Sequence, residues 1–260
     1  MPRSKSTKNA RKPRAKRAAK PTFDKRVKAV ISRMAENKIQ NYRGTVGLRA
    51  QTATSWDTTI VPCTPFTAFL SIPQGTGQSE RVGNTIRVKK LKFSGVLRPY
   101  PYNSTSNPTP APLIVKMLWM TRKSNPMEIY TNVSDLLQYG TTSEGPGTAL
   151  QNLHRPINLD EWTVHTQRTY KVGYAAYAGI GNDTNAQFFE NNDYKLNQFV
   201  NVDLTKYCVK NIKFDDNSVT PSTRIICMYA MVYRANSTAG AIGDVPVALD
   251  FDLDFEYEDV

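Results

Sequence analysis

Arg3, Lys5, Lys8, Arg11, Lys12, Arg14, Lys16, Arg17, Lys20, Lys25, Arg26, Lys28 and Arg33 put 13 cations into the first 33 residues, against one acid, Asp24. The chemistry open to such a run is neutralisation of closely spaced phosphates. Each phosphate engaged releases condensed counterions, and the gain grows with the number of cations. The rest of the chain holds 21 basic and 21 acidic side chains, so the formal net charge of +12 resides in this one segment. The first twenty residues, MPRSKSTKNARKPRAKRAAK, carry no acid, no aromatic and, after the initiating Met, no aliphatic residue larger than Ala. They cannot bury enough apolar surface to offset the entropy of ordering, so residues 1–21 are expected to form a disordered basic arm. Two other readings stay open: a solvated tail, and a nuclear localisation signal in ARKPRAKR for a host import receptor. Membrane insertion is not expected, because these twenty residues offer no apolar face.

The other chemistry-bearing residues point away from catalysis. His154 and His165 lie in separate segments without a nearby Cys or His, which gives neither a metal site nor a Cys/His pair. Cys63, Cys208 and Cys227 are odd in number and widely spaced, as small core residues would be. The loop QGTGQSERVGN at 74–84 is rich in glycine, but it lacks a Gly-Lys-Ser/Thr ending and leads into a strand pattern, so no nucleotide loop is expected. Asp250, Asp252, Asp254, Glu256 and Glu258 alternate with core residues, which is strand patterning and not a catalytic dyad. Five like charges on one strand face need water, cations or a facing basic surface. A solvated face, a calcium site between subunits, and a junction with a neighbouring chain's Lys and Arg through Asp252 and Asp254 are the readings that meet this need. No enzyme activity and no cofactor are expected. The Asn-X-Ser/Thr triplets at Asn103, Asn132, Asn182 and Asn236 are expected to be unmodified, since no apolar run in the N-terminal segment forms a secretory signal.

The elements that position these residues are mostly strands. Residues 22–38 are the exception: Thr22 can cap a helix, and Phe23, Val27, Val30, Ile31 and Met34 recur at helical spacing beside Lys25, Arg26, Lys28 and Arg33. This amphipathic stripe fits a contact between subunits or the helix's own domain equally well; the helix and a linker together occupy 22–43, and Gly44 and Gly47 mark the passage into a body over 44–260. Strands are expected at 56–62, 65–73, 85–99, 113–122, 161–174, 196–207, 224–235 and 245–259, with a one-residue bulge near Lys89-Lys90 and a short helix over NVSDLLQYG at 132–140. In 161–174, Trp162, Val164, Thr166 and Arg168 share one parity. The Pro-rich segment 99–112 reads as a surface loop. About eight strands with turns between them outline an all-β fold, an antiparallel sandwich or jelly roll.

These features together resemble the single jelly-roll capsid proteins of circular single-stranded DNA viruses and, more distantly, of small satellite RNA viruses. The resemblance rests on the basic arm, the helix VKAVISRMAENK, the turn and strand IPQGTGQSERVGNTIRVKKLKFSGVLRP, LIVKMLWMTR followed by NVSDLLQYG, and the closing FEYED. It implies an eight-stranded antiparallel jelly-roll sandwich that assembles with itself into an icosahedral virion. It also implies a packaged single-stranded genome, DNA before RNA, with the host nucleus and a cell-surface attachment factor as further settings. Within the loop, Arg81 is expected to pair across a subunit contact, and Gly75, Gly77 and Gly83 to supply positive φ. A shell of about 60 copies would bring about 720 positive charges, the order needed to offset much of a one-to-two-kilobase strand. The alternative is a cellular nucleic-acid-binding protein whose β-sandwich recognises a partner or a glycan, with its 13 Tyr as stacking platforms.

Overall fold

The alternation of apolar side chains and carboxylates along 249–258 becomes an interior strand of a five-stranded antiparallel sheet, flanked on both sides by charged partners. The computed structural model describes residues 37–50, 72–77, 79–101, 107, 110–123, 135–144, 150–176, 187–219, 221–223, 226–236 and 245–259. Two compact units divide the chain, Met1–Glu36 and Asn37–Val260, and every described residue belongs to the second. Its strands are β1 (Asn37–Leu48), β2 (Thr85–Pro99), β3 (Leu113–Arg122), β4 (Leu137–Tyr139), β5 (Thr142–Glu144), β6 (Trp162–Val172), β7 (Tyr174–Ala176), β8 (Gln187–Phe189), β9 (Gln198–Asp203), β10 (Asn211–Lys213), β11 (Cys227–Arg234) and β12 (Val247–Asp259). A single 3-10 turn at Leu150–Leu153 is the helical element among the described residues.

One sheet runs β1-β12-β2, with β9 and β10 both paired to β2; the other runs β11-β3-β6. The pairs β1 with β12, β2 with β9 and β3 with β6 nest inside one another along the chain, and the pairs β2 with β12 and β3 with β11 close the winding. An antiparallel ribbon rolled in this way is a jelly roll. Seven of its long strands are described. The expected strands at 56–62 and 65–73 lie outside the described residues, apart from Ile72 and Pro73, which form no strand.

Between the sheets, Phe93 stacks on Phe251 at 6.0 Å and meets Trp119 edge-on at 5.7 Å. Leu249, Leu253, Phe255 and Tyr257 bury fully beside them, each Leu or Phe stabilising the fold by about 1.5–3 kcal/mol. A second cluster covers the other face of β11-β3-β6. There Leu118, Met120, Tyr229 and Met231 pack against Leu136, Leu137, Leu153, Ile157 and Trp162. Asp135 ties this cover down, accepting from Arg122 Nη2 at 2.8 Å and from Trp162 Nε1 at 3.2 Å. Strands covered on both faces lose their polar parity, which is why LIVKMLWMTR and CMYAMVYR read as continuous apolar runs.

The bulge in β2 is present where the parity change demands it: Glu256 pairs with Lys90 and Tyr257 with Val88, so Lys89 is the extra residue. Four other expectations need correction. Asn37 and Lys38 do not end a helix, nor is 39–43 a linker, because 37–48 is a twelve-residue strand against β12; residues 22–36 lie outside the described residues. Lys38 and Gln40 take inward positions in β1, which hides its period of two. The stretch after Ser134 is a hairpin of β4 and β5 and not a helix, with Gly140 at φ 60° in the turn; Leu136 and Leu137 are both needed under the cover layer, and that burial overrides local helix preference. A register shift at Trp119/Met120 leaves His165 as an extra residue in β6, so Trp162 and Val164 face the cover while Tyr170 and Val172 face the inter-sheet core. Asn107, in the Pro-rich loop, is 2% exposed and donates from Nδ2 to the Tyr100 carbonyl at 2.8 Å, so it clamps the loop.

Candidate functional site

The thirteen cations of residues 1–33 and the apolar set Phe23, Val27, Val30, Ile31 and Met34 lie outside the described residues. What the structure places is the remainder of the predicted set, Arg81, Asp252 and Asp254, together with the sheet face that carries the acidic row.

Period two sends Asp250, Asp252, Asp254, Glu256 and Glu258 to the face of β12 opposite the core. The flanking strands answer them residue by residue. Arg98 Nε meets Asp250 Oδ2 at 2.6 Å, and Thr45 Oγ1 donates to Asp250 Oδ1 at 2.6 Å. Arg43 Nε reaches Asp252 Oδ2 at 3.0 Å, and Lys90 Nζ reaches Glu256 Oε1 at 2.6 Å. Asp254 stands in register between Asn41 of β1 and Lys92 of β2. Glu258 receives two cations, Arg87 Nη1 and Lys89 Nζ, each at 2.7 Å. The bulge explains that double pairing, because the extra residue brings Lys89 beside Arg87 on one face.

Two of these carboxyls are held low by their neighbours. The hydrogen bonds from Arg98 and then Thr45 hold Asp250 below the usual carboxylate range. Burial opposes the charge of Glu258, but Lys89 and Arg87 outweigh it and its carboxyl is also held low. Across the sheet, Lys90 is raised by its bond to Glu256. The row therefore finds its basic surface inside the same sheet, and Asp252 is bonded to Arg43 of its own chain. The matching signal was present in the sequence as Arg87, Lys90, Lys92 and Arg98 along β2, but only the register could align the two rows.

Next to this ladder the sheet dips. Ser94 and Gly95 leave a depression of about 340 Å³ bordered by Arg43, Asp252, Asn201 and Phe199. Phe199 is 71% exposed on β9.

Arg81 does not reach toward another subunit: it is fully buried. Its Nη1 donates to the Gly83 carbonyl at 2.6 Å and to Asn84 Oδ1 at 3.0 Å, its Nη2 donates to the Ser218 carbonyl at 2.5 Å, and the guanidinium lies 4.4 Å from the centre of the Phe214 ring. It pins the 74–84 loop to the connection before β11. Among the described residues positive φ occurs only at Gly140 and Asn217, so the loop glycines do not serve that purpose. Gly75 and Gly77 instead leave room for Glu80, whose Oε2 accepts from the Gly77 amide at 2.7 Å; a Cβ at Gly75 would stand 2.1 Å from that oxygen. Lys38 completes the knot, 1% exposed, bonded to the Glu80 carbonyl at 2.6 Å and to Asp259 Oδ2 at 2.9 Å.

His154, just after the 3-10 turn, and His165, on β6, line one cavity. No group of three or more His, Cys, Asp or Glu among the described residues could hold a metal ion. Cys208 packs against the core, where burial pushes its thiol up to about 12, and Cys227 is buried in β11.

No family model matches the chain, and no curated protein matches it. Among solved structures, a chain of the T=3 Penaeus vannamei nodavirus is similar over 98% of this chain and 61% of its own, with 12% identity and a TM-score of 0.20. A chain of the semi-empty VLP of the giant freshwater prawn Macrobrachium rosenbergii nodavirus is similar over 86% of this chain and 96% of its own, with 9% identity and a TM-score of 0.18. The chain thus spans about three fifths of the first of these. Scores this low establish neither a shared fold nor a shared function.

Proposed function

We propose that the chain is a viral coat protein: a jelly-roll subunit that assembles with itself into a small closed shell and packages a single-stranded genome, DNA before RNA, on its basic N-terminal segment. One observation carries the reading. All of the net charge sits in residues 1–33, while the jelly-roll body balances 21 cations against 21 acids and pairs many of them across its own strands. A body neutral overall can approach copies of itself without large net repulsion, and a segment of 13 cations and one acid can condense a polyanion without reading bases. Outside residues 1–33 the 21 cations are matched in number by 21 acids, which disfavours a protein that tracks a single strand along its β body.

Electron microscopy of the purified full-length chain tests the proposal. Uniform closed particles with co-purifying nucleic acid are expected. A monodisperse small species that binds nucleic acid but never forms shells would overturn it.

A further inference from the structure

Lys116 lies on β3 and faces the cover layer, away from the inter-sheet core. Only 8% of it is exposed, and its Nζ donates to the Leu153 carbonyl at 2.8 Å. Among the described residues no carboxylate pairs with it. Burial alone lowers its pKa, so the ammonium is held at an electrostatic cost. An ammonium has three donors, and one carbonyl satisfies one of them.

The same lysine lines a cavity of about 600 Å³ between the cover layer and β6. Among the described residues the ionisable groups that line it are Lys116, His154, Arg155 and His165, and none is an acid. Its apolar walls include Ile157, Val164 and Leu159, the last 60% exposed at the mouth. A cavity with a buried cation at one wall, no carboxylate among its described lining residues and an apolar patch of Ile157, Leu159 and Val164 is complementary to one kind of small molecule.

We infer that this cavity is a binding site for a small amphiphilic carboxylate, whose head group takes the remaining donors of Lys116 and whose hydrocarbon body lies along Ile157, Leu159 and Val164. A monoanion is favoured over a phosphate dianion because the desolvated ammonium of Lys116 matches a single charge, whereas a second charge would have to draw Arg155 from the Tyr139 ring it lies over at 4.5 Å. The cover layer supplies the walls and the sheet supplies the cation, so the site couples the two: an occupant would hold the 153–159 segment against β3 and β6. The inference stands apart from the coat-protein reading, since it uses no residue of the basic segment.

Calorimetric titration of the full-length protein with octanoate tests it, with acetate (head group alone) and octyltrimethylammonium (the same tail with opposite charge) as comparison ligands. Octanoate is expected to bind at one site per chain, and neither comparison ligand to bind there; non-specific attraction to the basic segment would favour acetate equally. Replacing Lys116→Met, which keeps length and apolarity, is expected to weaken octanoate by about tenfold or more, the loss typical of a charge-assisted hydrogen bond. Leu159→Asp, at an exposed position that folding does not depend on, is expected to weaken it as well. Binding of octyltrimethylammonium as tight as octanoate, absence of saturable octanoate binding, or unchanged octanoate affinity in the folded variants would each overturn the site.

Discussion

Arg81 and Arg43 show how differently two arginines of one chain are used. The Arg43–Asp252 pair leaves Arg43 78% exposed, so solvent screens it and its net worth is about 0–1 kcal/mol. Arg81 is fully buried and supplies donors to two backbone carbonyls and an amide oxygen, with its guanidinium against the Phe214 ring. Replacing Arg81→Met is expected to fill much of the same space but lose three charge-assisted hydrogen bonds and the contact with the Phe214 ring, destabilising the fold by about 2–4 kcal/mol, whereas Arg43→Ala is expected to cost under about 1 kcal/mol. Urea unfolding of both variants with the N-terminal segment intact checks the contrast. Equal, small losses would mean that the loop 74–84 closes without its guanidinium. The type and position of Arg81 were visible in the sequence, but its direction was not: a lone arginine in a glycine-rich loop reads as a surface contact until Phe214 and the Ser218 carbonyl, more than 130 residues away, are seen to receive it.

At the scale of the strand, β12 carries a prediction about acid. Asp250 and Glu258 have carboxyls held below their ordinary values in the folded chain. The unfolded chain therefore takes up protons at higher pH than the folded one, and stability rises with pH through the acid range. Their contribution is complete above the ordinary carboxylate range near about 4, and it is lost as pH falls through the depressed folded values. Glu258→Gln, which removes the charge that faces both Arg87 and Lys89 and one of its two acceptor oxygens, is expected to lower stability at pH 7 and to flatten the decline between about pH 4 and pH 2 relative to the parent. Thermal unfolding across that range measures it, and parallel curves for parent and variant would remove Glu258 from the account. Much of this element was legible beforehand, since an alternating LDFDLDFEYED can only divide its faces one way, and the parity change within 86–97 required the bulge at Lys89. What escaped were elements whose faces are set by something distant. β1 puts Lys38 inward because Glu80 and Asp259 wait there. The 137–139 segment extends because the second apolar cluster needs Leu136 and Leu137 together. The extra residue His165 in β6 has no local marker, so half of that strand was assigned to the wrong face.

At the scale of the whole molecule, the division of charge and the division of structure fall at nearly the same place. The net charge ends at Arg33, and the unit that contains the jelly roll begins at Asn37, the first residue of β1. A cut between them removes no described strand and no described ion pair, so a chain lacking residues 1–33 is expected to keep the unfolding transition of the parent. Binding to a labelled oligo(dT) strand should behave oppositely. Each phosphate contact on a single strand contributes about −0.7 to the slope of log K against log salt concentration, so engagement of all 13 cations would give a slope approaching about −9. The full-length chain is expected to show a steep slope within that bound. The truncated chain is expected to lose most of its affinity, along with nearly all of its salt dependence, because what remains carries no net charge to release counterions. A truncated chain that binds with a slope close to the parent's would place the nucleic-acid contacts on the jelly roll itself. The paired rows of β12 and β2 would then have to exchange their internal partners for phosphate, which their short contacts at Glu256 and Glu258 oppose.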